Sequence, residues 1–189
     1  MYIYHSTPIE HLQEMQQTGL TIGHETIWLC SDNDCLYFWA NQDETIDETT
    51  RRQMALYYAL QNGQIAAAKI QSTHTRLAVL VYDATPEELE DFPDMSCPNM
   101  DGAVAIPIEK IDLARLHYLV TPENTYLPYL SMFYLMHCRD EYMELPPLMH
   151  TVKQSLAKSN MFLDLCLDLC MEQIAYILPT DLQSPPANW

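Results

Sequence analysis

The run Leu77-Ala78-Val79-Leu80-Val81-Tyr82 offers no polar face. A strand points alternate side chains to opposite sides, so such a run is stable only where both sides are covered. The chain is therefore expected to build around a central strand, ended by Asp83, with cover above and below. Directly after it, Thr85-Pro86-Glu87-Glu88 carries the Thr-x-x-Glu capping box with proline in the first helical position, which starts a short helix to Asp91.

The same two signals meet at the other candidate strand, Tyr2-Ile3-Tyr4-His5. Aromatic and β-branched residues suit a pleated surface. Thr7 and Glu10 repeat the capping box around Pro8. Ile9, Leu12 and Met15 then mark one side of a helix that Gly19 stops. His5 is thus delivered to the rim of a sheet where a strand gives way to a helix, and small-molecule sites favour such rims.

Further strands are expected over 26–30, 102–107 and 113–120. Ser31 and Asp34 suggest a cap for a short helix carrying Cys35, Leu36, Tyr37, Phe38, Trp39 and Ala40. Residues 41–50 are polar and acidic, a loop. A longer helix starts at Thr49 or Thr50, with Asn62-Gly63 as its stop. Residues 65–70 read equally as helix or strand. Composition changes near Thr121, beyond which methionine, leucine and aromatic residues dominate and helices are suggested over 126–139, 148–158 and 160–177. The tail from Pro179 reads as irregular. The division is an α+β domain over 1–120 and a helical C-terminal extension over 121–189, packed on it.

Charge limits the partners. Against 26 acidic residues stand 9 basic ones, a formal net charge of -17. Phosphate backbones and anionic bilayers are repelled by such a surface, so neither direct nucleic-acid binding nor membrane binding is expected. A basic protein partner is compatible with it. No apolar run is long enough to span a bilayer and no secretory leader opens the chain, so the 6 cysteines are expected reduced, in the cytoplasm or in an effector translocated without a cleavable signal. Cys166 and Cys170 lie one helical turn apart, but no second pair completes a metal site, and none is expected.

The order of short motifs resembles the small ADP-ribosyltransferase fold shared by poly(ADP-ribose) polymerases, diphtheria-type toxins and short bacterial and phage proteins. The resemblance is carried by Tyr4-His5-Ser6-Thr7, Thr18-Gly19-Leu20, Ile27-Trp28-Leu29-Cys30-Ser31, Leu36-Tyr37-Phe38-Trp39-Ala40, Val79-Leu80-Val81-Tyr82-Asp83 and Ile106-Pro107-Ile108-Glu109-Lys110-Ile111. It covers roughly residues 1–120. It implies a mixed or antiparallel sheet, NAD as substrate and transfer of ADP-ribose to a macromolecular target. By the same resemblance His5 hydrogen-bonds the adenosine-side ribose of NAD, and the Ser6 backbone and hydroxyl lie near the nicotinamide amide, with Thr7 also at the cofactor. Tyr37 or Trp39 stacks on nicotinamide, and Asp101 supports the cation that forms as nicotinamide leaves. Asp101 is a methylene shorter than the family's glutamate. The alternative is a non-enzymatic acidic inhibitor or adaptor that keeps the fold and binds a basic protein surface.

Overall fold

The computed structural model describes residues 1–20, 34–70, 72, 75–94, 102–123, 182–185 and 189. The strand expected over 26–30, Asp101, and the helices expected over 126–139, 148–158 and 160–177 lie outside the described residues.

Five strands form one open antiparallel sheet: β1 (Tyr2–Pro8), β2 (Cys35–Trp39), β3 (Leu77–Asp83), β4 (Ala103–Pro107) and β5 (Leu116–Val120), ordered β4-β2-β1-β3-β5. Among the described residues three α-helices accompany it: α1 (Ile9–Thr18), α2 (Glu48–Lys69) and α3 (Pro86–Asp91). The class is α+β. The uniformly apolar run is interior strand β3, paired with β1 from Tyr2↔Asp83 to Pro8↔Leu77 and with β5 from Ala78↔Val120 to Tyr82↔Leu116.

Period-two alternation sorts the core into two layers. Ile3, Leu36, Phe38, Leu80, Tyr82, Ile106 and Leu116 face Leu12 and Met15 of α1 and Leu89 of α3. Tyr4, Leu77, Val79, Val81 and Leu119 face Ala55, Leu56, Ala59 and Leu60 of α2. Covering both faces keeps Leu77, Ala78, Val79, Leu80 and Tyr82 at 0% exposure. The α3 capping box forms: Thr85 Oγ1 accepts from Glu88 N, and Glu88 accepts from Thr85 N.

Several local expectations are corrected. Residues 35–39 are a strand, not a helix. Their burial alternates, Leu36 and Phe38 inward, and β2 pairs with β4 along its whole length. Satisfying the β4 ladder and filling one core layer outweighs the Ser31–Asp34 capping signal. The Thr7–Glu10 capping box is not made either. β1 runs on through Pro8, Thr7 Oγ1 is hydrogen-bonded to His11 Nδ1 at 2.9 Å, and Glu10 Oε1 accepts from Ser72 Oγ at 2.7 Å. Helix α2 begins at Glu48 and continues through Asn62-Gly63 to Lys69, which resolves residues 65–69 as helix. Gly19 does end α1, at φ +90°, with its N–H on the Met15 carbonyl.

The C-terminal tail contributes packing that its proline content hid. Gln183 exchanges both backbone hydrogen bonds with Tyr118 on edge strand β5, at 2.7 and 2.9 Å. Trp189 stacks on Tyr118 with ring centroids 5.5 Å apart.

Candidate functional site

His5 lies in the middle of β1, the centre of the sheet, opposite Leu80 of β3. Its side chain therefore projects to the α1 side, where it meets the Phe38 ring edge-on at 6.2 Å. Nδ1 stands 2.7 Å from the Tyr37 carbonyl oxygen of β2. A carbonyl can only accept, so Nδ1 carries the proton. Burial disfavours the imidazolium and lowers the pKa of His5 to about 4; the Tyr37 carbonyl pulls the other way, and nearby His11 adds to the depression. At neutral pH His5 is an uncharged ring of fixed tautomer, with Nε2 left as an acceptor.

His11 completes a small polar cluster at the β1–α1 junction. Burial lowers its pKa as well, against the opposing pull of Glu14 and Glu10. Thr7, on the same face of the strand as His5, bonds its ring. His11 escaped the sequence reading because Thr7 was assigned to a capping box. The useful signal was Thr7-x-x-x-His11, a hydroxyl and an imidazole one turn apart across the helix start.

The remaining candidates lie on the other side of the sheet. Ser6 pairs with Val79 and points to the α2 side, where its buried hydroxyl donates to the Ala78 carbonyl at 3.2 Å. Trp39 is on that side too, paired with Tyr4 and tilted against Tyr58 of α2 with centroids 5.3 Å apart. Tyr37, two residues before Trp39, shares its face by alternation. The structure thus joins His5 and Thr7 with His11 on the α1 side, and Ser6, Tyr37 and Trp39 on the α2 side. The link across is the His5 ring on the Tyr37 backbone. Asp101 is outside the described residues.

No metal-binding group of three or more His, Cys, Asp or Glu occurs among the described residues, and no helix among them is long and apolar enough to cross a membrane. No protein-family model, curated protein or solved structure matches the chain.

Proposed function

We propose that the protein is an NAD-dependent ADP-ribosyltransferase acting on a macromolecular target, with His5 as its ribose-binding residue. The observation that carries this reading is the 2.7 Å contact between His5 Nδ1 and the Tyr37 carbonyl oxygen. A neutral ring whose Nδ1–H is engaged by a backbone carbonyl presents Nε2 as a hydrogen-bond acceptor. A ribose hydroxyl is the complementary donor, and a charged imidazolium could not serve it in that way. The carbonyl contact also fixes the ring plane, so little side-chain freedom remains to be lost on binding.

The rest of the reading comes from the motif order around His5 and from its seat on the central strand. Departure of nicotinamide leaves a positive centre on the carbon of the nicotinamide-side ribose. A carboxylate would stabilise that centre, and Asp101 is assigned to it by resemblance.

Purified protein and His5→Asn are incubated with labelled NAD and a cell lysate. The asparagine amide can still donate to the Tyr37 carbonyl but offers no Nε2. Label transfer or NAD loss at least tenfold above that of His5→Asn is the expected result. Equal rates with both proteins, the variant being folded, overturn the assignment.

A further inference from the structure

In a chain of 26 acidic and 9 basic residues, two arginines stand side by side at the start of α2 and face one cavity. The cavity, of about 80 Å³, is lined by Tyr2, Asn41, Glu48, Arg51, Arg52 and Ala55. One water molecule requires only about 10–15 Å³ measured this way, so the space admits a larger guest. It opens at the Tyr2 end of β1, on the α2 side of the sheet, opposite to His5.

The two guanidinium groups are held differently. Arg52 lies over the Tyr2 ring, 5.2 Å from its centroid, and pairs with Glu48 at 2.5 Å. Arg51 lines the cavity with its Nε closed off and, among the described residues, without a hydrogen-bond partner. A guanidinium so poorly compensated by hydrogen bonds leaves its charge available to an anion beside it. Nearby Asp43, whose Oδ1 accepts from the Thr45 N–H and hydroxyl, acts on Arg51 through charge but makes no hydrogen bond to its Nε. Asn41 adds a third donor: its amide nitrogen is engaged only by the Met54 sulfur at 3.5 Å, a weak acceptor.

We propose that this cavity is a binding site for a phosphate group, either free phosphate or a small phosphomonoester. Two arginines and an asparagine line one space, and a tetrahedral oxyanion offers at least three acceptor oxygens where a carboxylate offers two. Forked N–H pairs match phosphate geometry, and partial desolvation strengthens the charge-assisted bonds. Glu48 acts as a competitor, holding Arg52 when the anion is absent. The strongly negative surface favours a compact anion that can be enclosed over an extended polyanion. The inference does not rest on the NAD reading, since the His5 ring lies on the other face.

The test is calorimetric titration of the protein with sodium phosphate to about 20 mM at constant ionic strength, a range that detects millimolar affinity. Saturable one-to-one binding is expected, at least tenfold weaker in Arg51→Gln and severalfold tighter in Glu48→Gln, which releases Arg52. His5→Asn binds phosphate like the parent protein. Glycerol phosphate binding more tightly than phosphate identifies an ester as the guest; weaker binding identifies the free ion. Absence of saturable heat, Arg51→Gln binding as well as the parent, or acetate binding as well as phosphate overturns the proposal. Circular dichroism of each variant confirms that it is folded.

Discussion

Gly63 of α2 sits directly on Ser6 of β1: a Cβ built at Gly63 would fall 2.2 Å from the Ser6 hydroxyl oxygen and 2.8 Å from its Cβ. The glycine is therefore a packing residue, at a point where helix and central strand lie too close for a side chain. Its φ is not in the left-handed region, unlike those of Gly19 and Gly102.

Gly63→Ala is expected to destabilise the protein, although alanine is the better helix former by about 1 kcal/mol. Forcing a methyl into a filled interface typically costs about 1–3 kcal/mol, and here the close contacts include the backbone carbon of Ser6, at 3.0 Å. Ser6→Gly on the Gly63→Ala background removes both side-chain contacts and should recover much of the loss. Ser6→Ala, which keeps the Cβ, should recover less. Urea unfolding of the parent, the single variants and the pairs measures this; an unchanged midpoint for Gly63→Ala would contradict the packing role.

The same contact shows what could be read from the sequence and what could not. β3 was legible because six apolar residues in a row admit few other environments, and α3 because its capping box is a local interaction complete within four residues. Gly63 was misread as a helix stop because its neighbour is 57 positions away in the chain, and nothing local distinguishes a glycine that ends a helix from one that lets a strand approach. Residues 35–39 failed for the same reason: strand identity is conferred by pairing with β4, a long-range partner. That Tyr2, Ile3 and Tyr4 begin a strand was legible from their aromatic and β-branched side chains, but His5 is not at its end on the rim of the sheet: β1 runs on through Pro8, which puts His5 mid-strand in the centre of the sheet. That Ser6 and Trp39 occupy the opposite face follows from alternation, but only once residues 35–39 are known to be strand.

His5 gives a pH dependence whose direction follows from proton counting. Its folded pKa of about 4 lies below the value of 6.5 for a free histidine. Between these values the unfolded chain binds more protons than the folded one, so stability falls as pH drops from about 6.5 towards 4. His11, also depressed by burial, acts in the same direction. His5→Asn, which cannot titrate, is expected to flatten the melting temperature profile through this window and to leave the profile above pH 7 nearly parallel to that of the parent. Parallel slopes between pH 6.5 and 4 would show that the ring is not held neutral by folding.

Trp189 separates the two halves of an aromatic contribution. Its ring packs on Tyr118 while its indole N–H is buried without a partner among the described residues. Trp189→Phe keeps most of the ring contact and deletes the orphan donor, so the loss of area is offset and stability should change by less than about 1 kcal/mol. Trp189→Ala deletes the packing itself and should cost about 1–2 kcal/mol, below the range for a fully buried large side chain because Trp189 is only partly buried. Equal losses in thermal unfolding of the two variants would mean that the N–H finds an acceptor.

A hydrogen-bonded charged pair joins α3 to the residue just before β5. Arg115 donates through Nη2 to Glu88 Oε1 at 2.6 Å and through Nη1 to Glu88 Oε2 at 2.8 Å, a two-pronged pair. The Tyr82 hydroxyl lies within it, donating to Glu88 at 2.8 Å and accepting from Arg115 Nη2 at 2.6 Å, while Arg115 packs 4.8 Å from the Tyr82 ring centroid. Hydrogen bonds from Arg115 bring Glu88 down to about 2, and burial pushes the Tyr82 hydroxyl up to about 12. Because Glu88 also closes the α3 capping box, one carboxylate fixes both the helix start and the β5 entry. Its depressed pKa means that the stabilisation is fully present above about pH 4.5 and is lost as pH falls through about 2. Glu88 and Arg115 are mostly shielded, with side chains 15% and 29% exposed, so the pair should exceed a surface salt bridge. A double-mutant cycle of Glu88→Gln and Arg115→Met should give a coupling of about 1–2 kcal/mol at pH 7 that shrinks towards zero near pH 2. Tyr82→Phe should lower it at pH 7 by removing the hydroxyl that bridges the two. A coupling that stayed constant from pH 7 to pH 2 would assign the stabilisation to ring packing of Arg115 on Tyr82 instead of to the charged pair.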